Sequence, residues 1–393
     1  MSEGSPIGWL HKPGTIAMTG NVVLGCKPRS LGCMLCFAPR SVVRQAHYPG
    51  RGDIVRHNEE GRLEWTGIVK MFPERVAAFR TLTKPHTIFV TALGELFDPQ
   101  VTMEFLVDLW QTMADTPHHT YIILTKLAGR MYRIVSKLVE QFGILPNVWL
   151  GVSAENQDQA NKRLLWLMRP PAAIRVVSCE PMLGPIDLTR IPARSRQQPG
   201  MVWDLLNRRY GVPGQWKARL DVGLDWVIVG GESGRKAEAR AMHPQWARDT
   251  INDAHRAGVA VFFKQWGSWG PAPWVVRVCD PEEGWKGTDD ELAEAKKAAE
   301  KIGATHSLPV WADQYDMLPR EVDHRPWSLE RQPLADGEPH APLRFYPNTS
   351  AGHGLDGRTW QQWPDGAGGI IDISHDVPDL AKLDRELVTS DAT

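Results

Sequence analysis

Three cysteines lie close together near the start of the chain, at Cys26, Cys33 and Cys36. In the C-x2-C pair the two sulfurs can reach one metal ion, and the turn residues Pro28 and Gly32 let the preceding arm fold Cys26 back to join them. Three thiolates from one short loop leave a fourth coordination position open. This pattern favours an iron-sulfur cluster whose last iron binds a substrate or cofactor directly. We call residues 26–36 the cysteine loop.

Zinc is the alternative metal for this loop. His47 or His57 would then be the fourth ligand and complete a structural zinc knuckle. Three unrelated core cysteines are a weaker interpretation, because Lys27, Arg29 and Ser30 would make a poor core strand. The chain has five cysteines, an odd number, and three of them share this loop. In a reducing compartment such clustering favours metal binding or redox chemistry over a disulfide framework.

Polar residues follow a series of apolar runs along the chain. They are Thr91, Gly94 and Glu95; Thr125 and Lys126; Ser153 and Glu155; Ser178 and Glu180; Gly231 and Glu232; and Lys264 and Gln265. Each one alone is typical of a solvated loop charge. If the runs are parallel strands, their carboxyl ends share one rim with the cysteine loop, where parallel α/β folds place their active sites. The glutamates could accept hydrogen bonds from amines or hydroxyls, and the lysines could neutralise a carboxylate or phosphate.

The elements that must position these residues alternate between strand-like and helix-like patterns. The apolar runs are 21–25, 87–92, 121–125, 148–152, 174–178, 226–230 and 259–263. Helical spacing of apolar residues lies between them, as in 103–113, 131–138, 160–167 and 246–257. This alternation predicts βα units with right-handed crossovers. We expect an α/β fold with a partial or complete parallel βα barrel, in preference to a doubly wound open sheet.

The alternation of strand-like and helix-like segments ends near residue 270 and divides the chain into two parts. Residues 1–270 are expected to form the barrel, with a hairpin-like insertion at about 50–70 and a second insertion at 186–220. Residues 271–393 form an extension rich in Trp, Pro and Gly, with one charged helix near 289–302. We expect its last sixty residues to be partly disordered.

Charge and hydropathy indicate which binding partners and which cell compartment to expect. The net charge is −1, but residues 186–220 carry seven basic side chains against two acidic ones. This insertion is therefore a candidate contact for a nucleic-acid backbone, although a solvated loop has the same composition. The tryptophans of the extension are candidates for docking a protein partner or stacking bases. The start lacks a leader-like segment and no apolar run is long enough to cross a membrane, so we expect a cytoplasmic protein.

These residues together resemble a family of phage and bacterial proteins of uncharacterised function, the three-Cys-motif family. That family is itself similar to radical S-adenosylmethionine enzymes of the spore photoproduct lyase type. The resemblance covers roughly residues 18–270. The stretches that carry it are Asn21-Val-Val-Leu-Gly-Cys26, Cys33-Met-Leu-Cys36-Phe-Ala, Leu96-Phe97, Leu124-Thr-Lys126, Val148-Trp-Leu-Gly-Val-Ser153, Ser178-Cys-Glu-Pro-Met-Leu-Gly-Pro185, Val229-Gly-Gly-Glu-Ser-Gly234 and Phe262-Phe-Lys-Gln-Trp-Gly267.

The resemblance implies a barrel whose three cysteines bind a [4Fe-4S] cluster that chelates S-adenosylmethionine, with an external electron donor. By the same resemblance Gly94, Glu95 and Ser153 would contact the cofactor, and Lys126, Glu180, Glu232 and Lys264 would line the substrate side. The substrate would be a nucleobase, a nucleotide or another phage or host molecule, in the host cytoplasm if the chain is phage-encoded. The spacing C-x6-C-x2-C is wider than the C-x3-C-x2-C usual in radical enzymes.

Two other functions are consistent with the residues. One is a nucleic-acid-binding or partner-binding module in which zinc or a cluster is structural. The other is a hydrolase that uses rim carboxylates with a metal ion, but no Asp/His ligand spacing supports it.

Overall fold

A computed structural model describes residues 2–44, 51–193, 199–234, 238–271 and 274–279, and in the C-terminal part residues 328–333, 343–345, 354–355, 358–367 and 369–374. The charged helix expected near 289–302 lies outside these residues, as does His47. No helix among the described residues is long and apolar enough to cross a membrane.

Strands and helices alternate through the first 265 residues. The strands are β1 (Ser2–Glu3), β2 (Ile16–Thr19), β3 (Val23–Leu24), β4 (Val55–His57), β5 (Leu63–Trp65), β6 (Lys70–Met71), β7 (His86–Phe89), β8 (Thr120–Thr125), β9 (Val148–Ser153), β10 (Ile174–Cys179), β11 (Ile191–Pro192), β12 (Val202–Asp204), β13 (Arg209–Val212), β14 (Gln215–Arg219), β15 (Trp226–Gly230) and β16 (Ala260–Gln265). The α-helices are α1 (Ala38–Arg44), α2 (Arg51–Ile54), α3 (Pro73–Phe79), α4 (Met103–Asp115), α5 (Ala128–Phe142), α6 (Gln157–Leu167) and α7 (Pro244–Arg256).

The central sheet has the order β1-β2-β7-β8-β9-β10-β15-β16. Its last seven strands are parallel and follow one another in chain order, and they curl into a half-barrel. A doubly wound sheet would reverse its strand order at a switch point. The partial βα barrel is thus confirmed, and the open-sheet alternative is excluded.

The two faces of the half-barrel bury different sets of side chains. Alternate residues of each strand point outward, where they pack against the helices, as Ile123 and Val227 do. The intervening residues point inward and form a second core rich in aromatic rings. Trp149 and Trp226 meet there edge to face, with ring centroids 5.8 Å apart. The base of the half-barrel is therefore filled by side chains.

The C-terminal part of the chain returns to close the open side of this sheet. Phe263 N donates to Trp360 O at 2.8 Å beside the edge strand β16. Trp363 is buried against Phe262 inside the half-barrel and donates Nε1 to Trp9 O at 2.8 Å. Part of the predicted extension therefore belongs to the barrel core. Residues 358–367 and 369–374 fall within the sixty residues expected to be partly disordered, and the structure describes them.

Short strands account for the rest of the described extension. They are β17 (Trp269–Pro271), β18 (Trp274–Cys279), β19 (Ser328–Pro333), β20 (Leu343–Phe345), β21 (Gly354–Leu355), β22 (Arg358–Thr359), β23 (Gln362–Pro364) and β24 (Ile370–Asp372). They pair as antiparallel ribbons, β17 with β20, β18 with β19, β21 with β22 and β23 with β24.

The first strand differs from the expectation. The sheet strand is β2, and the apolar run 21–25 instead forms β3, which pairs antiparallel with β6 outside the main sheet. Asn21 adopts a positive φ of 48°, and its side chain accepts hydrogen bonds from the backbone N–H groups of Ala92 and Leu93 at 3.0 Å. This turn separates β2 from β3. The cysteine loop consequently starts one short strand beyond the sheet.

The segments predicted as insertions contain strands that lie outside the main sheet. The first contains the hairpin β4–β5, whose turn is held by Asn58 Oδ1. The second forms a four-stranded antiparallel meander, β11 to β14.

Candidate functional site

The cysteine loop leaves β3 at the rim of the half-barrel. Gly25 has φ +100°, and a Cβ atom there would collide with Ile68 O, so only glycine fits. Gly25 also forms a parallel bridge with Gly94, where a Cβ atom would lie 2.6 Å from Val23 O. The predicted cofactor residue Gly94 thus allows the loop to approach the strand end after β7.

Cys33 and Cys36 lie on consecutive helical turns, and Cys26 lies in irregular backbone just after Gly25. Cys33 ends a 3-10 helix, Leu31–Cys33, and Cys36 N donates to Cys33 O at 3.3 Å just before α1. Cys26, Cys33 and Cys36 are all partly buried free thiols. Among the described residues, no group of three or more His, Cys, Asp or Glu side chains is placed to hold a metal ion. The thiols are therefore neighbours that do not converge on one point.

Cys33 has the most polar surroundings of the three. Its Sγ accepts a hydrogen bond from Arg29 N at 3.3 Å and lies 3.4 Å from Lys126 Nζ. Burial alone would raise the pKa of Cys33, but Lys126 and the backbone N–H groups of Arg29 and Ser30 hold it below the ordinary value. The loop and the barrel together favour a thiolate at this position.

Cys26 and Cys36, in contrast, have raised pKa values that favour the protonated thiol. Burial raises the pKa of Cys26 to about 12, and the charges of Glu95, Cys33 and Cys36 add to this effect. Burial also raises the pKa of Cys36, and Cys33 again adds to the effect. A metal or cluster that takes these sulfurs must displace their protons.

The carboxylate of Glu155 joins the cysteine loop to the barrel. Its side chain is fully buried and accepts from Ser30 Oγ at 2.5 Å and from Arg163 Nη1 at 3.0 Å. It also forms an ion pair with Lys126. Burial alone would raise the pKa of Glu155, but Lys126 and then Arg163 lower it below the ordinary value. One ionised carboxylate thus holds two cations and a loop hydroxyl.

The same carboxylate fixes the charge of Lys126. Burial alone would lower the pKa of Lys126, but Glu155 and then Cys33 raise it above the ordinary value. The predicted site residue Lys126 therefore stays a cation beside the thiolate. Arg163 anchors the network to the neighbouring strand, because its Nη1 also donates to Ser153 O at 2.7 Å.

Glu95 lies beneath the loop and has its oxygens engaged. Oε1 accepts from Thr125 Oγ1 at 2.6 Å and from Phe97 N at 3.1 Å, and Oε2 accepts from Lys126 N at 3.1 Å. Burial raises the pKa of Glu95. This carboxylate holds the end of β8 and thereby the backbone of Lys126.

Glu180 and Lys264 form a second cluster on the rim, on the β10 to β16 side. Lys264 Nζ lies 2.7 Å from Glu180 Oε1. Ser178 Oγ donates to Glu180 Oε2 at 3.4 Å. A Cβ atom on Gly230 would lie 2.9 Å from Glu180 Oε1, so glycine makes room for this pair. Two predicted site residues are thereby brought together.

Glu232 connects the late strands to the cysteine loop through Arg240. Arg240 donates to Glu232 from Nη2 at 2.5 Å, and from Nε and its backbone N at 2.9 Å each. The same Nη2 donates to Leu31 O at 3.0 Å. A second tie between these segments joins Arg40 to Glu238 at 3.3 Å. The predicted residue Glu232 is thus a buried anchor for the loop.

Three of the five described basic residues of the 186–220 insertion form ion pairs with carboxylates. Its described ion pairs are Arg190 with Asp187 at 3.6 Å, Arg208 with Asp225 at 2.5 Å, and Arg209 with Asp204 at 2.7 Å. Arg194 and Arg196 lie outside the described residues. The other two basic residues of the insertion, Lys217 and Arg219, are exposed on β14.

His57, the other histidine weighed as a zinc ligand, is exposed at the end of β4 and pairs across the hairpin with Leu63.

Sequence reasoning missed three of the residues that shape this site: Ser30, Arg163 and Arg240. Glu155 was noted after β9 but not selected, because an acid before a helix is usually a local partner of the helix N-terminus. Gly32 was the available signal that another group approaches the loop closely, but nothing in the sequence identifies that group as Glu155. Arg240 gave no signal of its own.

The chain was compared with known proteins. A search of curated proteins found no match, and neither did a search of solved structures. A family model described as protein of unknown function (DUF5131) matches residues 5–364, which is nearly the whole chain, and the protein belongs to that family.

Proposed function

We propose that this protein is an iron-sulfur enzyme of the radical S-adenosylmethionine type, as its resemblance to the three-Cys-motif family implies. The supporting observation is that one loop presents Cys26, Cys33 and Cys36 at the carboxyl rim of a parallel half-barrel, with Lys126 beside Cys33. When bound, a [4Fe-4S] cluster with S-adenosylmethionine would supply the electron and the carbon radical that removes hydrogen from a substrate.

The residues fit such a cluster in donor type and number. Thiolates are soft ligands that select iron-sulfur clusters or zinc. Among the described residues the three thiols do not converge on one point, so a cluster would have to draw them together as it binds. Lys126 and nearby backbone N–H groups hold the pKa of Cys33 below the ordinary thiol value, whereas burial raises the pKa of Cys26 and Cys36, which must lose protons on binding.

We assign the other predicted site residues on the rim to either the cofactor or the substrate. Gly94, Glu95 and Ser153 are the proposed cofactor contacts. Lys126, Glu180, Glu232 and Lys264 are the proposed substrate side. The inward-facing alternation of β9 and β16 supports part of this assignment, because Ser153 and Lys264 continue the inward series of their strands. The paired Glu180 and Lys264 can accept from and donate to a polar substrate group.

The proposed substrate is a nucleobase, a nucleotide or another phage or host molecule, and an external reductant supplies the electron. The enzyme would work in the cytoplasm, where thiols are kept reduced and available to bind a metal.

Purification without oxygen, followed by absorption spectroscopy and iron and sulfide analysis, tests the proposal. Brown protein with iron and sulfide is expected, and Cys33→Ala should lose both. Cys179→Ala is the matched control, because Cys179 is a buried cysteine of the outer core at the end of β10 and is not part of the cysteine loop. Colourless protein that carries zinc would instead establish a structural metal and a binding module.

A further inference from the structure

The outer surface of the cysteine loop combines exposed apolar side chains with positive charge. Leu31, Met34 and Phe37 are 60%, 64% and 58% exposed, the most exposed large apolar residues described. Residues 26–44 contain four basic residues, Lys27, Arg29, Arg40 and Arg44, and no acidic one. We call these seven residues the cysteine-loop face.

Helix α1 arranges one side of this face. Ala38 and Val42 are buried, so the opposite side of the helix is turned to solvent. Phe37, Arg40 and Arg44 are spaced i, i+3 and i+7 and lie along that solvent side. Arg40 and Arg44 are about 6 Å apart along the helix axis. An aromatic ring is therefore followed by two cations in one line.

The other side of the face is formed by the loop itself. Lys27 lies over Gly67, where a Cβ atom would come 2.9 Å from Lys27 Cε, and the neighbouring Ile68 is 43% exposed. Arg29 is held by Asp98, which is fully buried and 3.5 Å away. Within the described part of the chain, neither Lys27 nor Arg44 takes part in an ion pair.

We propose that the cysteine-loop face binds single-stranded nucleic acid, with Phe37 against a base and Lys27 and Arg44 against phosphates. This inference rests on the proposed function, since it places that substrate class at the cysteine loop. The chain has a net charge of −1, so attraction of a polyanion must come from a local patch. Phosphates recruit lysine and arginine, while the faces of unpaired bases stack on exposed aromatic rings. An acidic protein would use the cations but would not require the ring.

The meander is the competing surface, and its charges argue against it. Its ion pairs at Arg190, Arg208 and Arg209 already satisfy most of the described basic side chains. The nucleic-acid contact predicted for residues 186–220 therefore moves, in this proposal, to the cysteine-loop face.

Fluorescence anisotropy with a labelled single-stranded oligonucleotide tests the proposal on the full-length protein. Phe37→Ala should weaken binding about tenfold, as expected for the loss of one stacked base. Lys27→Glu combined with Arg44→Glu should weaken binding further and reduce the slope of log Kd against log salt by about 1.4. The matched control is Lys217→Glu combined with Arg219→Glu, which changes the same charge on β14 and should leave binding unchanged. All five side chains are exposed, so thermal unfolding should be unaltered.

Three results would overturn the inference. The first is the absence of oligonucleotide binding at low salt. The second is binding that the β14 variant abolishes and the loop variants do not. The third is binding of polyglutamate or duplex DNA as tight as that of the oligonucleotide and indifferent to Phe37→Ala. Iron analysis of the same samples separates the two proposals: binding without a cluster leaves this surface standing and removes the radical enzyme, and a cluster without binding does the reverse.

Discussion

Gly32 in the cysteine loop packs directly against the buried carboxylate of Glu155: a Cβ atom at residue 32 would lie 2.7 Å from Glu155 Oε1. The same oxygen accepts from Ser30 Oγ. The cysteine loop thus contacts a charged group of the barrel. The distance between Gly32 and the Glu155 carboxylate leaves no room for a side chain at residue 32.

The added methyl group of Gly32→Ala should therefore push the cysteine loop away from the Glu155 side chain. We expect the iron content after anaerobic purification to fall several-fold, with a loss of stability of about 1–3 kcal/mol from overpacking. Gly129→Ala is the control, because its Cβ atom would meet Trp166 at an ordinary 3.6 Å inside α5. Equal iron content in the wild type and both variants would show that the contact between Gly32 and Glu155 does not position the thiols.

Glu155→Gln should destabilise the fold, because it leaves Lys126 and Arg163 with a neutral partner in a buried site. Breaking a buried ion pair on one side costs about 3–5 kcal/mol, measured as the free energy of unfolding in urea. Asp158→Asn removes an exposed partner of Lys162 and should cost less than about 1 kcal/mol. Similar losses in the two variants would contradict a buried ionised Glu155.

Stability should also fall at mildly acidic pH because of His119. This imidazole is buried beside His118 and accepts a hydrogen bond from His86 N at 3.2 Å. Burial, aided by His118, lowers the pKa of His119 to about 4. Between that value and the unfolded value of about 6.5, the unfolded chain binds the extra proton. Stability that is complete above pH about 6.5 is thus lost as the pH falls towards 4, by about 1–3 kcal/mol.

His119→Asn keeps an acceptor near the position of Nδ1 and removes the titration. Its unfolding free energy should vary less between pH 6.5 and pH 4 than that of the wild type. Parallel pH profiles for the two proteins would assign the acid sensitivity to other groups.

Trp363→Ala tests whether the C-terminal part belongs to the barrel core. Trp363 is 1% exposed and hydrogen-bonded to Trp9 O, so its truncation should cost about 3–5 kcal/mol. Ile373→Ala changes a residue that is 46% exposed and should cost less than about 1 kcal/mol. A small effect at residue 363 would show that residues 358–374 are dispensable for the barrel.

The sequence was sufficient to predict the half-barrel because its strands are buried on both faces. Apolar runs such as Trp226–Gly230 coincide with the observed strand, and the helices lie where their spacing places them. The first strand was misassigned because the run 21–25 is as apolar as β2, and only the turn at Asn21 separates them.

Contacts between distant segments could not be predicted from local patterns. Gln362 meets Val261 across 101 residues, and Arg240 reaches Leu31 O across 209. A basic or aromatic residue in a loop has no periodicity that indicates such a partner. The cysteines could be identified because their spacing is itself the signal, whereas the network of Glu155 depends on the folded rim.

Electron paramagnetic resonance of the anaerobically reduced protein, with and without S-adenosylmethionine, tests the central claim most directly. The account predicts an iron-sulfur signal that S-adenosylmethionine alters, that Cys33→Ala abolishes and that Cys179→Ala retains. A protein that carries no iron, or whose signal is unchanged by S-adenosylmethionine, would contradict it.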